Sequence, residues 1–139
     1  MWTGAILAGG QGRRLGGIDK SALVVGSNSI LDRQLALLRE LTPHILIVAG
    51  EAPKTGAPDA TVVTDRMAGA GALGGLYTAL VEAPTEQVLV IACDMPFLTA
   101  PFLARLAERG KGADAALPCD ERGRHPLCAS YDRRIAGHL

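Results

Sequence analysis

The chain has 139 residues, with 14 basic and 14 acidic side chains that give a formal net charge of zero, and 48% of its residues are hydrophobic. These values indicate one globular domain, residues 1–139, with a sizeable core; they exclude a disordered tail and a general polyanion binder, so we expect no nucleic-acid partner. No apolar run approaches the roughly 20 residues that span a bilayer, and no signal-peptide pattern is present, so we expect a cytosolic protein without membrane contact.

The first predicted element is a short apolar strand that leads directly into a glycine-rich loop. The strand is formed by residues 5–7, and residues 7–20 have the sequence LAGGQGRRLGGIDK. Glycines let consecutive backbone N–H groups turn toward one anion, and Arg13, Arg14 and Lys20 supply positive charge for a triphosphate. The loop therefore predicts a phosphate-binding site at the end of a strand. The alternative is a turn that only joins the strand to a helix.

Two commoner phosphate-binding motifs do not fit this loop. The dinucleotide fingerprint G-x-G-x-x-G fails because three residues separate Gly12 from Gly16. A Walker loop needs a Gly-Lys-Ser/Thr sequence, whereas two residues separate Gly17 from Lys20. The loop is therefore of another phosphate-binding type.

The remaining predicted elements alternate between helices and strands. A capping box at Ser29 predicts a helix that runs through Glu40, and further helices are predicted over 72–83 and from a Thr99 cap to Arg109. The predicted strands are 45–49, 61–64, 87–93, 113–117 and 127–130. This alternation is typical of an α/β fold with a Rossmann-like, mostly parallel sheet and helices on both faces, which binds ligands at the carboxyl ends of its strands.

Two aspartates that follow predicted strands are candidate ligand-binding residues. Asp94 follows strand 87–93, so we expect its carboxylate at the same edge as the glycine-rich loop. A single carboxylate suits Mg²⁺, which takes further ligands from phosphate and water; the alternative is a helix N-cap or turn aspartate. Asp65 follows strand 61–64 and is predicted to position a nucleoside, although a turn or an ion pair with Arg66 explains it equally well.

The cysteines and the histidine before a proline predict neither a disulfide framework nor a zinc site. Cys93, Cys119 and Cys128 are odd in number and lack C-x-x-C spacing, so we expect them to be small, reduced core residues. His125 has no neighbouring pattern of metal ligands and is predicted to be a loop residue.

Four motifs together resemble the molybdenum cofactor guanylyltransferase family. They are the glycine-rich loop 7–20, GALGGL at 71–76, CDMPF at 93–97 and HPLCASY at 125–131. Ala-Gly-Gly in the loop resembles the guanylyl branch, since the cytidylyl branch usually carries Ala-Ala-Gly. The resemblance implies the nucleotide-diphospho-sugar transferase fold and an Mg²⁺-dependent enzyme that transfers GMP from GTP to molybdenum-bound molybdopterin and releases pyrophosphate.

The resemblance also implies roles for individual residues. The implied GTP contacts are Leu7, Ala8, Gly9, Gly10, Lys20, Asp65 and Asp94. Asp94 would hold the Mg²⁺, while Arg13 and Lys20 would act in catalysis by offsetting charge on the leaving pyrophosphate. The family further implies partner proteins that deliver molybdopterin or accept the finished cofactor.

The chain departs from the family pattern at three places. Ala72 replaces a usual proline, Val48 stands near the position of a usual asparagine, and the chain ends at Leu139 where the family continues toward the pterin. We therefore expect a chain that is short at its C-terminal side but complete in its nucleotide-binding half. Two alternatives stay open: a related nucleotidyltransferase with another phosphorylated acceptor, and a nucleotide-binding module without catalysis.

Overall fold

The computed structural model describes residues 1–7, 14–15, 18–19, 24–25, 28–49, 60–64, 66, 71–92, 95 and 98–138. Its strands are β1 (Trp2–Leu7), β2 (Arg14–Leu15), β3 (Ile18–Asp19), β4 (Val24–Val25), β5 (Asn28–Ser29), β6 (His44–Ala49), β7 (Thr61–Thr64), β8 (Gln87–Ala92), β9 (Ala115–Ala116), β10 (Cys119–Asp120), β11 (Gly123–Arg124) and β12 (Cys128–Asp132). The helices are α1 (Ile30–Leu41), α2 (Gly71–Glu82), α3 (Ala100–Gly110) and a C-terminal 3₁₀ helix (Arg133–His138).

A six-stranded sheet forms the centre of the molecule, in the order β7-β6-β1-β8-β12-β9. The first four strands of this order run parallel, whereas β12 is antiparallel to both of its neighbours. The remaining described strands form three separate two-stranded pairs, β2-β3, β4-β5 and β10-β11. The predicted mostly parallel α/β sheet is confirmed.

The central strands are buried because apolar side chains occupy both of their faces. On one face, Leu7 belongs to a cluster with Leu80 of α2. On the other face, Ile6 belongs to a second cluster with Leu38 of α1 and Leu103 of α3. Side chains alternate between the faces along each strand, so a continuous apolar run is what a doubly covered strand requires. The prediction of helices on both faces is also confirmed.

The helix bounds agree with the sequence predictions to within one or two residues. In α3 the Thr99 hydroxyl caps the helix by accepting a hydrogen bond from the Phe102 N–H at 3.3 Å, and Pro101 lies in the first turn. The helix includes Gly110, one residue beyond the predicted end at Arg109. Among the described helices, none is both long and apolar enough to cross a membrane.

The C-terminal third differs from the prediction in its strands. The β10-β11 hairpin was not predicted; Gly123 within it has φ of 107°, a conformation that favours glycine. Strand β9 has two residues instead of the predicted 113–117, because it pairs only with Ser130 and Tyr131 at the edge of the sheet. Strand β12, by contrast, is longer than predicted at its carboxyl end, since it continues to Asp132 and the predicted strand ends at residue 130.

The cysteine prediction is wrong at one position. Cys128 is buried at the start of β12, as expected, but Cys119 is exposed. The reason is that Cys119 lies in β10, which pairs with β11 and is not part of the central sheet. Cys93 lies outside the described residues.

Candidate functional site

Two residues of the predicted site lie in the described part of the structure: Arg14, which is in β2 and pairs with Asp19 of β3, and Leu7. It is the last residue of β1, and only 2% of its surface is exposed because its side chain packs in the cluster beneath α2. The Leu7 side chain is therefore part of the core, and the contact that the resemblance implies would come from its main chain. The other predicted site residues lie outside the described residues: Ala8, Gly9, Gly10, Arg13, Lys20, Asp65 and Asp94.

Three strand ends determine where the segments that contain those residues leave the sheet. The glycine-rich loop follows Leu7, Asp65 follows Thr64, and Asp94 is the second residue after Ala92. Leu7 pairs directly with Ala92, so β1 and β8 end side by side. Strand β7 is three strand spacings from β8, or about 14 Å at ~4.8 Å each. We call this line of strand ends the carboxyl edge.

Helix α2 begins at the carboxyl edge and fixes the chain that follows β7. It connects the parallel strands β7 and β8, a Cβ added at Gly75 in its second turn would lie 3.5 Å from the Leu7 side chain at the end of β1, and its first turn contains no acidic side chain. The positive end of the helix dipole there favours an anionic ligand. The buried Thr78 hydroxyl donates to the Gly74 carbonyl at 2.9 Å and accepts from the Arg66 N–H at 2.8 Å. The residue after Asp65 is thus attached to α2.

Arg66 is attached to α2 through its side chain as well. Its Nε donates to Glu82 Oε1 at 2.7 Å, and Nη2 contacts the same oxygen. Both side chains are partly exposed, so this pair adds little stability. This contact competes with the alternative in which Asp65 forms an ion pair with Arg66, since the described partner of the Arg66 guanidinium is Glu82.

A buried glutamine that the sequence analysis missed holds the chain that follows β8. Gln34 of α1 donates through Nε2 to the carbonyl oxygens of Ala92, at 2.7 Å, and Met95, at 3.2 Å. These two carbonyls flank residues 93–94. A signal for it exists in the sequence, because Gln34 is a polar residue on the leucine stripe of α1, four positions before Leu38.

The Asp120 carboxylate of the β10-β11 hairpin contacts the His125 imidazole near the start of β12. Asp120 Oδ1 accepts the Arg122 N–H at 2.7 Å, and Oδ2 lies 2.9 Å from His125 Nε2. The backbone hydrogen bond first and the histidine second hold the pKa of Asp120 below its usual value. His125 is a loop residue, as predicted. Among the described residues, no group of three or more His, Cys, Asp or Glu side chains could hold a metal ion.

Two hydrogen bonds within the motif at 125–131 hold its first residues close to β12. The Tyr131 hydroxyl donates to the Pro126 carbonyl at 2.5 Å, and the Cys128 N–H donates to the His125 carbonyl at 3.1 Å. Since Cys128 pairs with Ile91, the motif enters the sheet beside the carboxyl end of β8. The hairpin is thereby brought toward the carboxyl edge.

Comparison with known proteins identifies the family. The sequence model of the MobA-like NTP transferase domain matches residues 4–139. A Pelotomaculum thermopropionicum protein named "Probable molybdenum cofactor guanylyltransferase" is 39% identical over 132 residues, which cover 94% of this chain and 63% of that protein. A Methanothermobacter thermautotrophicus protein of the same name is 33% identical, over 96% of this chain and 72% of its own length.

A solved structure has the same architecture. It is molybdopterin-guanine dinucleotide biosynthesis protein A from Archaeoglobus fulgidus, with a TM-score of 0.75 and 26% identity over 99% of this chain and 70% of that one. The chain therefore spans roughly two thirds of the length of these relatives. The predicted nucleotidyltransferase fold is confirmed. By sequence and by fold, the chain belongs to the MobA-like NTP transferase family, among relatives of the molybdenum cofactor guanylyltransferases.

Proposed function

We propose that this chain binds GTP with Mg²⁺ at the carboxyl edge and transfers GMP to the terminal phosphate of molybdenum-bound molybdopterin. The observation that supports the proposal best is the arrangement of the strand ends. The glycine-rich loop, Asp65 and Asp94 each follow a strand that ends at that one edge. Ligands of open α/β sheets bind at this edge. The relatives' printed names supply the acceptor and the base.

The nucleotide would lie along the carboxyl edge with its two ends at different strands. The ends of β7 and β8 are about 14 Å apart, which favours separate roles for Asp65 and Asp94 over two ligands of one ion. Asp65 would hold the nucleoside near the start of α2. Asp94 would act next to the end of β1, where the glycine-rich loop carries the phosphates.

The glycine-rich loop would bind the triphosphate through its main chain and its cations. Leu7 is buried, so it and residues 8–10 would offer backbone N–H groups, while Arg13, Arg14 and Lys20 would offer positive charge. As an acceptor phosphate oxygen bonds to the α-phosphorus in line, the bond to the β-phosphate oxygen breaks and pyrophosphate leaves with that electron pair. The three cations would stabilise the leaving group.

Asp94 would hold the Mg²⁺. Gln34 donates to the main-chain carbonyls of Ala92 and Met95, and Asp94 is the one residue of segment 92–95 that has a carboxylate side chain. That donor set fits Mg²⁺, which binds through one or two carboxylates and otherwise keeps water and phosphate oxygens. When bound, Mg²⁺ offsets negative charge on the α-phosphate.

A cytosolic location and contact with proteins that supply molybdopterin or receive the finished cofactor are parts of the same proposal. The partner contacts follow from the chemistry of the acceptor, because a labile cofactor is best passed directly between proteins. Purification of the chain from cell extract under mild cross-linking would test for such partners.

Calorimetric titration with GTP, CTP and ATP, with and without Mg²⁺, tests the nucleotide half of the proposal. We expect GTP to bind more tightly than the other two and to need Mg²⁺. A pyrophosphate-release assay with molybdenum-bound molybdopterin then tests transfer. A preference for another nucleotide would favour a related nucleotidyltransferase with a different acceptor. Binding of GTP-Mg²⁺ without any pyrophosphate release would favour a binding module without catalysis.

A further inference from the structure

The buried amide of Gln34 makes an unusual set of contacts for a residue in a helix. Its side chain is 1% exposed, and among the largest fully buried side chains of the described residues it is the polar one. The amide nitrogen donates to two carbonyls, those of Ala92 and Met95. The amide oxygen, Oε1, is buried and has no hydrogen-bond partner in the described structure.

The chemistry of this position requires an NH₂ group. Two carbonyl acceptors face one side-chain end, and an NH₂ group supplies a donor for each. A carboxylate would place negative charge against both carbonyls, and an apolar side chain would leave both without this partner. Leu35 and Leu38, which lie near Gln34 on α1, pack in the apolar core, so an apolar residue would be sufficient for packing on this face of the helix.

The two donor contacts distinguish Gln34 from the apolar residues that pack beside it on α1. Within the described part of the chain, Oε1 is buried without a partner, which costs free energy, so packing alone does not favour a glutamine at this position. The Gln34 amide donates to two residues that lie 58 and 61 positions later in the sequence. One of them precedes and the other follows residues 93–94, which include Asp94. The contacts therefore restrain both ends of that segment from a single point on α1.

We propose that Gln34 is a positioning residue that sets the conformation of segment 92–95 and so the place of the Asp94 carboxylate. This inference rests on the proposed role of Asp94 as the Mg²⁺ ligand. Gln34 would act through the backbone of the segment and would not touch the nucleotide. Ligands of this kind depend on the groups that orient them, and loss of such a group typically weakens metal binding or activity about 10- to 100-fold.

The chain offers a matched control for this residue at the other end of the same strand. Gln87, the first residue of β8, also donates through Nε2 to two acceptors, the Ala107 carbonyl at 2.6 Å and Ser130 Oγ at 2.9 Å. Gln34→Met and Gln87→Met therefore remove the same group from opposite ends of β8. Both variants keep a similar side-chain volume.

The test measures Mn²⁺ binding by electron paramagnetic resonance with GTP present, and hydrogen exchange of backbone amides by mass spectrometry. For Gln34→Met we expect faster exchange within residues 92–98 and Mn²⁺ binding weakened about tenfold or more. For Gln87→Met we expect Mn²⁺ binding within about twofold of the wild type, with exchange changes confined to the amino-terminal side of β8. Equal Mn²⁺ binding in the two variants would overturn the inference.

A second variant separates positioning from general loss of structure. In Gln34→Glu the side chain keeps its shape but has a donor only when protonated, so we expect pyrophosphate release relative to wild type to rise as the pH falls. Gln34→Met should show no such recovery. A parallel pH profile in the two variants would overturn the inference. Absence of GTP-dependent Mn²⁺ binding in the wild type, with the exchange difference intact, would instead overturn the proposed function and the catalytic part of this inference with it.

Discussion

The two ends of β8 are held by glutamines in the same way, yet their surroundings differ. At the amino end, Gln87 bridges α3 and β12, and each of its two contacts lies between regular elements of the fold. At the carboxyl end, Gln34 contacts the last residue of β8 and Met95, and its own oxygen has no partner in the described structure. The Gln87 contacts join β8 to α3 and β12, whereas the Gln34 contacts join α1 to the end of β8 and to Met95 beyond it.

Further polar contacts at the amino end support this contrast. The Thr3 and Thr85 hydroxyls lie 2.7 Å apart, and Thr85 donates onward to the Gln87 carbonyl at 2.8 Å. The Thr42 hydroxyl donates to the Trp2 carbonyl at 2.5 Å and accepts the His44 N–H at 3.2 Å. These groups are engaged with one another, so the amino end contributes stability. The carboxyl end is instead contacted by side chains of the helices, Gln34 of α1 and Thr78 of α2.

The largest expected effect is at the carboxyl edge. Asp94→Ala should reduce Mg²⁺-dependent pyrophosphate release by about 10²- to 10³-fold, because stabilisation of charge at the α-phosphate would be lost. The thermal midpoint should stay close to that of the wild type, since the residue follows a strand end. Asp114→Ala is the control, because it removes a carboxylate that is 78% exposed, next to β9. Wild-type pyrophosphate release from Asp94→Ala would exclude the metal assignment.

A smaller effect is expected from loss of one cation in the glycine-rich loop. Lys20→Ala should weaken GTP binding by about tenfold to a hundredfold and guanosine binding much less, because hydrogen bonds to charged groups typically contribute about 1.5–3 kcal/mol. Calorimetric titration with both ligands measures the difference. Lys111→Ala, which removes an equal charge just after α3, should leave both affinities unchanged. If guanosine and GTP lose affinity equally, Lys20 supports the fold of the loop and does not bind phosphate.

At the amino end, by contrast, a substitution should change stability and leave catalysis alone. An added Cβ at Gly110 would overlap Ser130 Oγ and lie 2.5 Å from Ser130 Cβ. Gly110→Ala should therefore destabilise the protein by up to about 2 kcal/mol, since an overpacking cost of about 1–3 kcal/mol exceeds the ~1 kcal/mol gain in helix propensity. Urea unfolding measures this loss. Gly137→Ala is the control because its added Cβ would meet nothing within 4 Å. A large fall in kcat for Gly110→Ala, measured well below its unfolding temperature, would contradict the division between the two ends.

The elements predicted correctly are those whose signals are local. Strand β8 is a continuous apolar run, and α3 has a Thr99 cap with Pro101 in its first turn, so a short window of sequence suffices for each. The β10-β11 hairpin has no such signal. Its residues 119–124 alternate in no apolar pattern, and the Asp120 carboxylate stabilises its turn through the Arg122 N–H.

The sequence places the motifs of the candidate site after strand ends, but it does not show the side-chain contacts next to them. The glycine-rich loop and the two aspartates could be assigned to strand ends because parallel strands end at one edge. The contacts of Gln34 and Thr78 could not be found in this way, because they join residues far apart in sequence to main-chain groups. Almost every residue has a main-chain donor and acceptor, so the sequence does not show which of these groups form a hydrogen bond with a distant side chain.

The smallest expected effect concerns the thiols and follows from the difference between Cys119 and Cys128. Burial raises the pKa of the Cys128 thiol to about 11, so its reactive thiolate is scarce at neutral pH, whereas Cys119 is exposed. A maleimide at pH 7.5, with the sites mapped by mass spectrometry, should modify Cys119 and spare Cys128 until the protein unfolds.

Because the folded pKa of Cys128 lies above the ordinary value of about 8.5, the unfolded state loses the Cys128 proton first, and the free energy of unfolding should fall as the pH rises from about 8.5 to 11. Cys128→Ala should lessen that fall and Cys119→Ala should not. Equal modification of both thiols in the folded protein would mean that the start of β12 opens readily, and the carboxyl edge would then lack the rigid support that β12 gives to β8.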